Sequence, residues 1–562
     1  MRHTVSRTTT LFLAAILAAC AGQTGSEKPD SPFNPDEPFA KVEAALTPLA
    51  TACAFNATTG AMTVTIADGE TAIISKRAAD SAILQNGETC ATVATSTTLK
   101  KITVTGSSGT NALILDFTNG LFALGTTSAA SSGIAVDLGA GTDTLGIKGT
   151  SGADNFVFGA ASILLNTDTN KDITVAGVEA YVVSLGDGDD VYSAAGNATA
   201  GAPFGAPIAV YGGAGNDTFN QGSVSTPQET ISGGSGTDTV TYASRTAAVT
   251  VTIGAGSGAS ADDGVSGEQD DVTADVEVVV GGSGDDTLTA SATAATLQGG
   301  PGNDTLIGGA GDDTLSGGAG NDILRGKAGN DILNGDDGDD VFDEETASNG
   351  ADVFNGGNGI DTVDYGARTV ALVVTMDGVA ANDGEANEKD NVKADVENLK
   401  GGSGDDNITG NASHNKIWGG DGNDILAGGA GDDVFVQTGT TASDGDDRIS
   451  GGTGVDTVDY SSRTVAVTAT LDGATASGIS GEADILATDV ENLWGGSGDD
   501  TLTGNASANE LVGNAGDDQL IALDGDDVLE GGAGDDFLNC GNGFDITLGS
   551  IGNDTKDPSC EL

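Results

Sequence analysis

From Gly299 the chain repeats a nine-residue phrase five times without a gap: GGPGNDTLI, GGAGDDTLS, GGAGNDILR, GKAGNDILN and GDDGDDVFD, ending at Asp343. Numbered by place, glycine recurs at the first and fourth, Asp at the sixth and an apolar residue at the eighth. Six residues rich in Gly, Asn and Asp favour a tight turn, because glycine accepts positive φ and close backbone approach. The next three suit a short strand with one side chain inward, here Leu306, Leu315, Leu324, Leu333 and Phe342. One strand per nine residues cannot close a coil. Two repeats should therefore make one turn of a flattened solenoid, each strand pairing with the strand two repeats along, about 4.8 Å away. The expected fold is all-β, a parallel β-roll or β-helix solenoid. Asp304, Asp322 and Asp340 then fall on one edge, and Asp313 and Asp331 on the other.

Carboxylates stacked at that spacing repel one another unless a cation lies between them. Carboxylate and backbone carbonyl oxygens, with no His or Cys nearby, make a hard all-oxygen cage. That chemistry favours Ca²⁺, which takes 6–8 oxygens in flexible geometry, over Mg²⁺, which demands a strict octahedron. Residues 299–343 carry ten Asp against Arg325 and Lys327, a net charge of −8, and alternate stacking of five repeats gives three complete sandwich sites. An acidic, Gly-rich linker would share this composition. It would not keep an apolar residue at every eighth place.

The phrase closely resembles the nonapeptide of the repeats-in-toxin family. The resemblance implies a parallel β-roll in which the sixth-place Asp and the turn carbonyls hold multiple calcium ions. The same register begins again at Gly281, Gly401 and Gly495 and recurs upstream. Carried residue by residue, the calcium ligands are Asp286, Asp304, Asp313, Asp322, Asp331 and Asp340 in one block and Asp406, Asp424 and Asp433 in the next. Asp500, Asp518, Asp527, Asp536 and Asp545 follow in the third, and Asp217, Asp238, Asp361 and Asp456 come from phrases outside the blocks. In each block the second phrase puts Ala295, Asn415 or Asn509 at the sixth place, while the eighth stays apolar as Leu297, Ile417 or Leu511. Calcium sites should be weak or absent there.

A longer unit lies between blocks, starting at Gly233, Gly356 and Gly451 and closing at Asp275-Val276-Glu277, Asp395-Val396-Glu397 and Asp489-Val490-Glu491. Alternating valines suggest strands of longer coils in the same solenoid. Their acidic middles, Asp262-Asp263-Gly264 and Asn382-Asp383-Gly384-Glu385, read equally as further ion sites or as solvated loops. Fainter echoes run through Asp154, Asp190 and, with Asn111 in place of Asp, Gly106 onward. Residues 55–130, rich in Thr, Val, Ile and Ala, should cap or begin the solenoid, since an open end exposes strand edges.

Aromatic residues make up only 4% of the 562-residue chain, too few for a large globular core but enough for a solenoid. The formal charge of −63 leaves no basic patch for nucleic acid. It also makes the calcium-free array self-repelling, so folding and calcium binding should be coupled.

Arg2 and Arg7 precede an apolar run ending Leu17-Ala18-Ala19-Cys20, the form of a bacterial lipoprotein signal. That likeness implies cleavage before Cys20 and lipidation of this residue, giving a membrane anchor. Ala21 after the cysteine favours the outer membrane of a Gram-negative cell. Pro29, Pro32, Pro35 and Pro38 follow in a semi-extended tether. Of the three pairings open to the remaining cysteines, sequence proximity suggests Cys53–Cys90 and Cys540–Cys560, and an exported compartment permits disulfides. The expected organisation is a signal peptide at 1–19, a lipidated Cys and Pro-rich tether at 20–40, an N-terminal β-rich cap at 41–130, a degenerate repeat solenoid at 131–280, the calcium-binding solenoid at 281–548 and a C-terminal tail at 549–562.

Secreted toxins and enzymes of the family usually lack such a signal, which weighs against toxin, protease or lipase activity. HExxH and GxSxG are absent, and His414 is the one histidine beyond the signal. The abundant carboxylates fall at repeat positions. The reading is a non-enzymatic, calcium-binding surface lipoprotein of the bacterial envelope, outer membrane or extracellular face. One alternative is a calcium-dependent adhesin or matrix protein binding cells or polysaccharide, with Trp418 and Trp494 as a sugar platform. The other is a polysaccharide-modifying enzyme with carboxylate-only chemistry.

Overall fold

The computed structural model describes residues 52–89, 94–95, 98–122, 133–168, 170–226, 228–254, 263–379, 382–549 and 551–560. The signal peptide, Cys20, the tether and Cys90 lie outside them. Among the described residues every regular element is a β-strand. The chain divides into two compact units, Met1–Gly302 and Asn303–Leu562.

In the second unit the nonapeptide arithmetic is visible as strand register. Thr305–Ile307 pairs in parallel with Ile323–Arg325, placing Leu306 opposite Leu324, and Thr314–Ala319 pairs with Ile332–Asp337, placing Leu315 opposite Leu333. The eighth-place side chains point inward, and Leu306, Leu315, Leu324, Leu333 and Phe342 are wholly buried. Their seventh- and ninth-place neighbours face outward, the alternation a pleated strand imposes. The stack of leucines widens to aromatics at Phe342, Phe354 and Tyr365, with ring centroids 5.7 and 6.4 Å apart. Burial of one such residue per half-coil replaces a globular core.

The first unit is built the same way. Ala61–Thr65, Lys101–Ser107 and Ile134–Gly139 pair in parallel, so strands from the expected cap and from the expected degenerate solenoid share one sheet. Within the expected cap, the antiparallel hairpin of Ala52–Asn56 with Ala61–Thr65 begins the sheet. Asn111 already behaves as a sixth-place residue, its N–H donating to Asp143 Oδ1 at 2.6 Å.

Residues 551–560 also extend the coil. Thr555–Lys556 pairs in parallel with Phe537–Asn539, and Cys560 is disulfide-bonded to Cys540 with the Cα atoms 4.9 Å apart. Cys53 is disulfide-bonded as well.

Candidate calcium sites on the turn edges

Each six-residue turn folds its sixth-place Asp back beneath its own first residue. At Gly317, Gly335 and Gly419 a Cβ would overlap Oδ2 of Asp322, Asp340 and Asp424, which is why the first place is glycine. The fourth place has a second reason. Gly338 has a φ of 142°, and a side chain there would collide with the carbonyl of Gly320, the fourth-place glycine two repeats earlier.

The sixth-place carboxylates form ladders. Asp304 N–H donates to Asp322 Oδ1 at 2.6 Å, Asp322 N–H to Asp340 Oδ1 at 2.8 Å, and Asp340 N–H to Asp361 Oδ1 at 2.9 Å. On the other edge Asp313 N–H donates to Asp331 Oδ1 at 2.7 Å. Equivalent rungs join Asp406 to Asp424, Asp433 to Asp456, Asp500 to Asp518, Asp518 to Asp536, Asp527 to Asp545 and Asp217 to Asp238. All these aspartates, with Asp286, are between 0 and 6% exposed.

One oxygen of each rung accepts a backbone proton. The other is the informative one. Oδ2 of Asp217, Asp238, Asp322, Asp331, Asp340, Asp361, Asp424, Asp433, Asp456, Asp518, Asp527, Asp536 and Asp545 is buried with no hydrogen-bond partner. A native fold does not leave rows of carboxylate oxygens unsatisfied without compensation. Without a cation the groups resist ionisation. Burial, reinforced by neighbouring carboxylates, pushes Asp322, Asp361, Asp424 and Asp518 up to about 7 and Asp331, Asp433 and Asp527 up to about 6. Lone carboxylate oxygens in register, lined by turn carbonyls, fit a hard divalent cation.

The family model for the RTX calcium-binding nonapeptide repeat matches residues 210–222, 271–294, 289–324, 316–343, 346–367, 400–435, 441–462, 488–520, 512–547 and 521–555. The chain carries RTX calcium-binding nonapeptide repeats. No curated protein matches the chain. Calcium bound to these RTX turns would neutralise the paired carboxylates, and the sixth-place Asp with the turn carbonyls would hold it.

Not every RTX turn is alike. Both oxygens of Asp286, Asp406 and Asp500 accept backbone protons: Oδ1 from Val249, Leu372 and Val467, and Oδ2 from Gly282, Gly402 and Gly496. These three, each opening a block, have less need of a cation. At the degenerate turns the asparagine is self-sufficient. Asn415 Oδ1 accepts from Asn411 N–H at 2.8 Å and its Nδ2 donates to Glu397 O at 3.0 Å; Asn509 repeats this with Asn505 and Glu491. An amide offers a donor where a carboxylate offers only acceptors, so these RTX turns close without an ion.

Asp190, marked by a fainter echo of the phrase, and Asp352 and Asp447, which escape a search for paired glycines, stand at sixth places, accepting backbone protons from Asp154, Asp331 and Asp424. The signal is reduced to Gly-x-Asp-x-apolar, as in Gly350, Asp352 and Phe354. Glu277, Glu397 and Glu491, which close the long units, accept from Asp238, Asp361 and Asp456 and so extend the ladders with a longer side chain. Asp554 adds a rung in the tail by accepting from Asp536 N–H. The exposed fifth places form a parallel outer ladder, Asn303 to Asn321 to Asp339.

The acidic middles of the long coils are braces. Asp263 accepts from Thr252 and Val272 N–H, and Asp383 from Thr375 and Val392 N–H, each tying two strands together. Asp262 lies outside the described residues. Nearby sit three buried arginines that the recurrent Arg-Thr dipeptide marks in sequence. Arg245 pairs with Glu268 at 2.6 Å, Arg368 with Glu344 at 2.8 Å and Glu388 at 3.0 Å, and Arg463 with Asp444 at 2.5 Å. His414 is exposed on a turn, where its Nδ1 accepts from Asp432 N–H at 2.7 Å.

Proposed function

We propose that this protein is a non-catalytic calcium-binding lipoprotein of the bacterial envelope, anchored through Cys20, whose folding and stiffness depend on ions held along its turn edges. The rows of buried Oδ2 atoms without partners carry the calcium part of this reading. The sixth-place carboxylates are enclosed between turns, an arrangement suited to holding an ion and unsuited to meeting a polymer substrate. The form of residues 1–20 supports export and anchoring. Circular dichroism during a calcium titration tests the coupling: chelator should lower both the β content and the melting temperature and calcium should restore them, whereas identical spectra and melts in both would refute it.

A second reading, attachment to polysaccharide, has one supporting feature. Trp418 lies on an outward strand face with Lys400 Nζ 5.8 Å and Lys416 Nζ 5.0 Å from its ring centroid, an aromatic and cationic patch on an otherwise acidic chain. Trp494 is less suited to this, because its indole Nε1 is buried. A glycan array with calcium present separates the two: acidic glycans retained by the protein and lost in Trp418→Ala would favour adhesion, and an empty array would leave the structural role.

A further inference from the structure

The three long coils share one internal arrangement, and the middle coil departs from it in a single chemical respect. At the first place after strands Thr218–Asn220, Val341–Asp343 and Val434–Val436 stand Gln221, Glu344 and Gln437, where the nonapeptide has glycine. The backbone N–H groups of these residues bind Thr241, Asp364 and Asp459 carbonyls, so they are equivalent. Each faces an acid whose own N–H donates to the aspartate ahead: Glu229 to Asp270, Asp352 to Asp390, Asp447 to Asp484.

In the first coil Gln221 Nε2 donates to Glu229 Oε2 at 3.1 Å, and in the third the Gln437 amide favours the ionised form of Asp447 against the burial that raises it. The amide proton is what reconciles the two side chains. In the middle coil both partners are carboxylates. An ionised Glu344 has no proton to give Asp352, and Glu344 Oε1 and Asp352 Oδ2 are both fully buried without a partner.

The surroundings complete a cage. Carboxylate oxygens of Glu344, Glu388 and Asp390 all lie within 4.8 Å of one another, and all three residues are buried. Tyr365 O–H donates to Asp390 Oδ2 at 2.9 Å and holds it in place. Arg368 binds Glu344 Oε2 and Glu388 Oε1 and neutralises one of the three charges. The remainder matches one divalent cation. Among the described residues this is the one acidic group whose ligand atoms converge in this way.

We propose that the middle long coil holds an additional hard divalent cation, of the calcium class, inside the coil between Glu344, Glu388 and Asp390, beside the unpartnered Asp352 Oδ2. The site differs from the turn-edge sites because its distinguishing ligand replaces a first-place glycine. It substitutes a metal ion for the amide proton that Gln221 and Gln437 supply in the other coils.

The test is Glu344→Gln in the full chain, a change the protein already carries at the two equivalent positions. Calcium bound at saturation, measured by equilibrium dialysis, should fall by one ion per chain with an unchanged circular dichroism spectrum. The variant should also melt higher than the parent in chelator, and the gap should close in calcium. An unchanged ion count, with the variant more stable by the same amount in calcium and in chelator, would mean that a shared proton fills the gap and would overturn the proposal. Should the variant not fold, crystals of the parent protein soaked in Tb³⁺ decide: an anomalous peak between Glu344 and Asp390 supports the site, and its absence there while turn edges are occupied refutes it. A chain that binds no calcium at all would instead refute the turn-edge reading.

Discussion

Asp322 N–H donates to Asp340 Oδ1 at 2.8 Å, and Asp340 Oδ2, eighteen residues along the chain, is left buried with no partner. That half-satisfied carboxylate recurs up both edges. It links the sequence period to ion binding, because the hydrogen bond sets the register and the spare oxygen supplies the charge.

Asp322→Asn should weaken calcium binding while stabilising the calcium-free protein by about 1–3 kcal/mol, the scale of an unsatisfied buried polar group. Asn415 and Asn509 show how an amide closes such a turn from both sides. Calcium titration and chelator melts of the same variant check it. A variant less stable in chelator would contradict the account.

The calcium-free fold should be acid-stabilised. Asp322, Asp361, Asp424 and Asp518 sit at about 7 in the folded chain against an ordinary 3.8. A raised carboxyl contributes stability that is full below about 4 and lost as pH rises through about 7. Melting temperature in chelator should therefore fall between pH 5 and pH 8, and calcium should flatten or reverse the trend. Calcium binding near pH 7 should release protons, seen as a buffer-dependent heat in calorimetry.

Gly338→Ala should destabilise the second unit by more than about 1 kcal/mol, since it forces a side chain to positive φ against the Gly320 carbonyl. Gly549→Ala is the control, for nothing lies within 4 Å of the position its Cβ would take. Thermal melts in calcium should separate them.

Reducing Cys540–Cys560 frees a segment closed over 20 residues, worth up to about 3 kcal/mol to the last coil. Hydrogen exchange should quicken at Thr555–Lys556 and its partner strand Phe537–Asn539 and leave Leu306 to Leu333 unchanged.

Cys20→Ser should move the protein from the membrane fraction to the soluble fraction. A variant that still sediments with membranes would refute the lipid anchor.

The eighth-place leucines illustrate why so much of this fold can be read from the chain. A strict nine-residue period makes every contact local in the stack, so Leu306 meets Leu324 wherever the array lies. The sixth-place Asp is legible for the same reason. Legibility fails where the period is stretched. Asp352 lacks a preceding glycine pair, and Glu397 reaches its rung through an extra methylene. The Thr555–Lys556 strand lies in what reads as tail, because the eighth place there is Lys556 and no apolar residue marks the period.

The sequence by itself determined the solenoid, its two-repeat coil and the carboxylates that line its edges wherever the nine-residue period is strict, since period and chemistry together admit one stacking. Tertiary structure alone decided which oxygens remain unsatisfied, because that depends on donors from turns eighteen or more residues away. It also decided the fate of Glu344: only inside the closed coil does it meet Asp352, where the other coils bring an amide to a carboxylate.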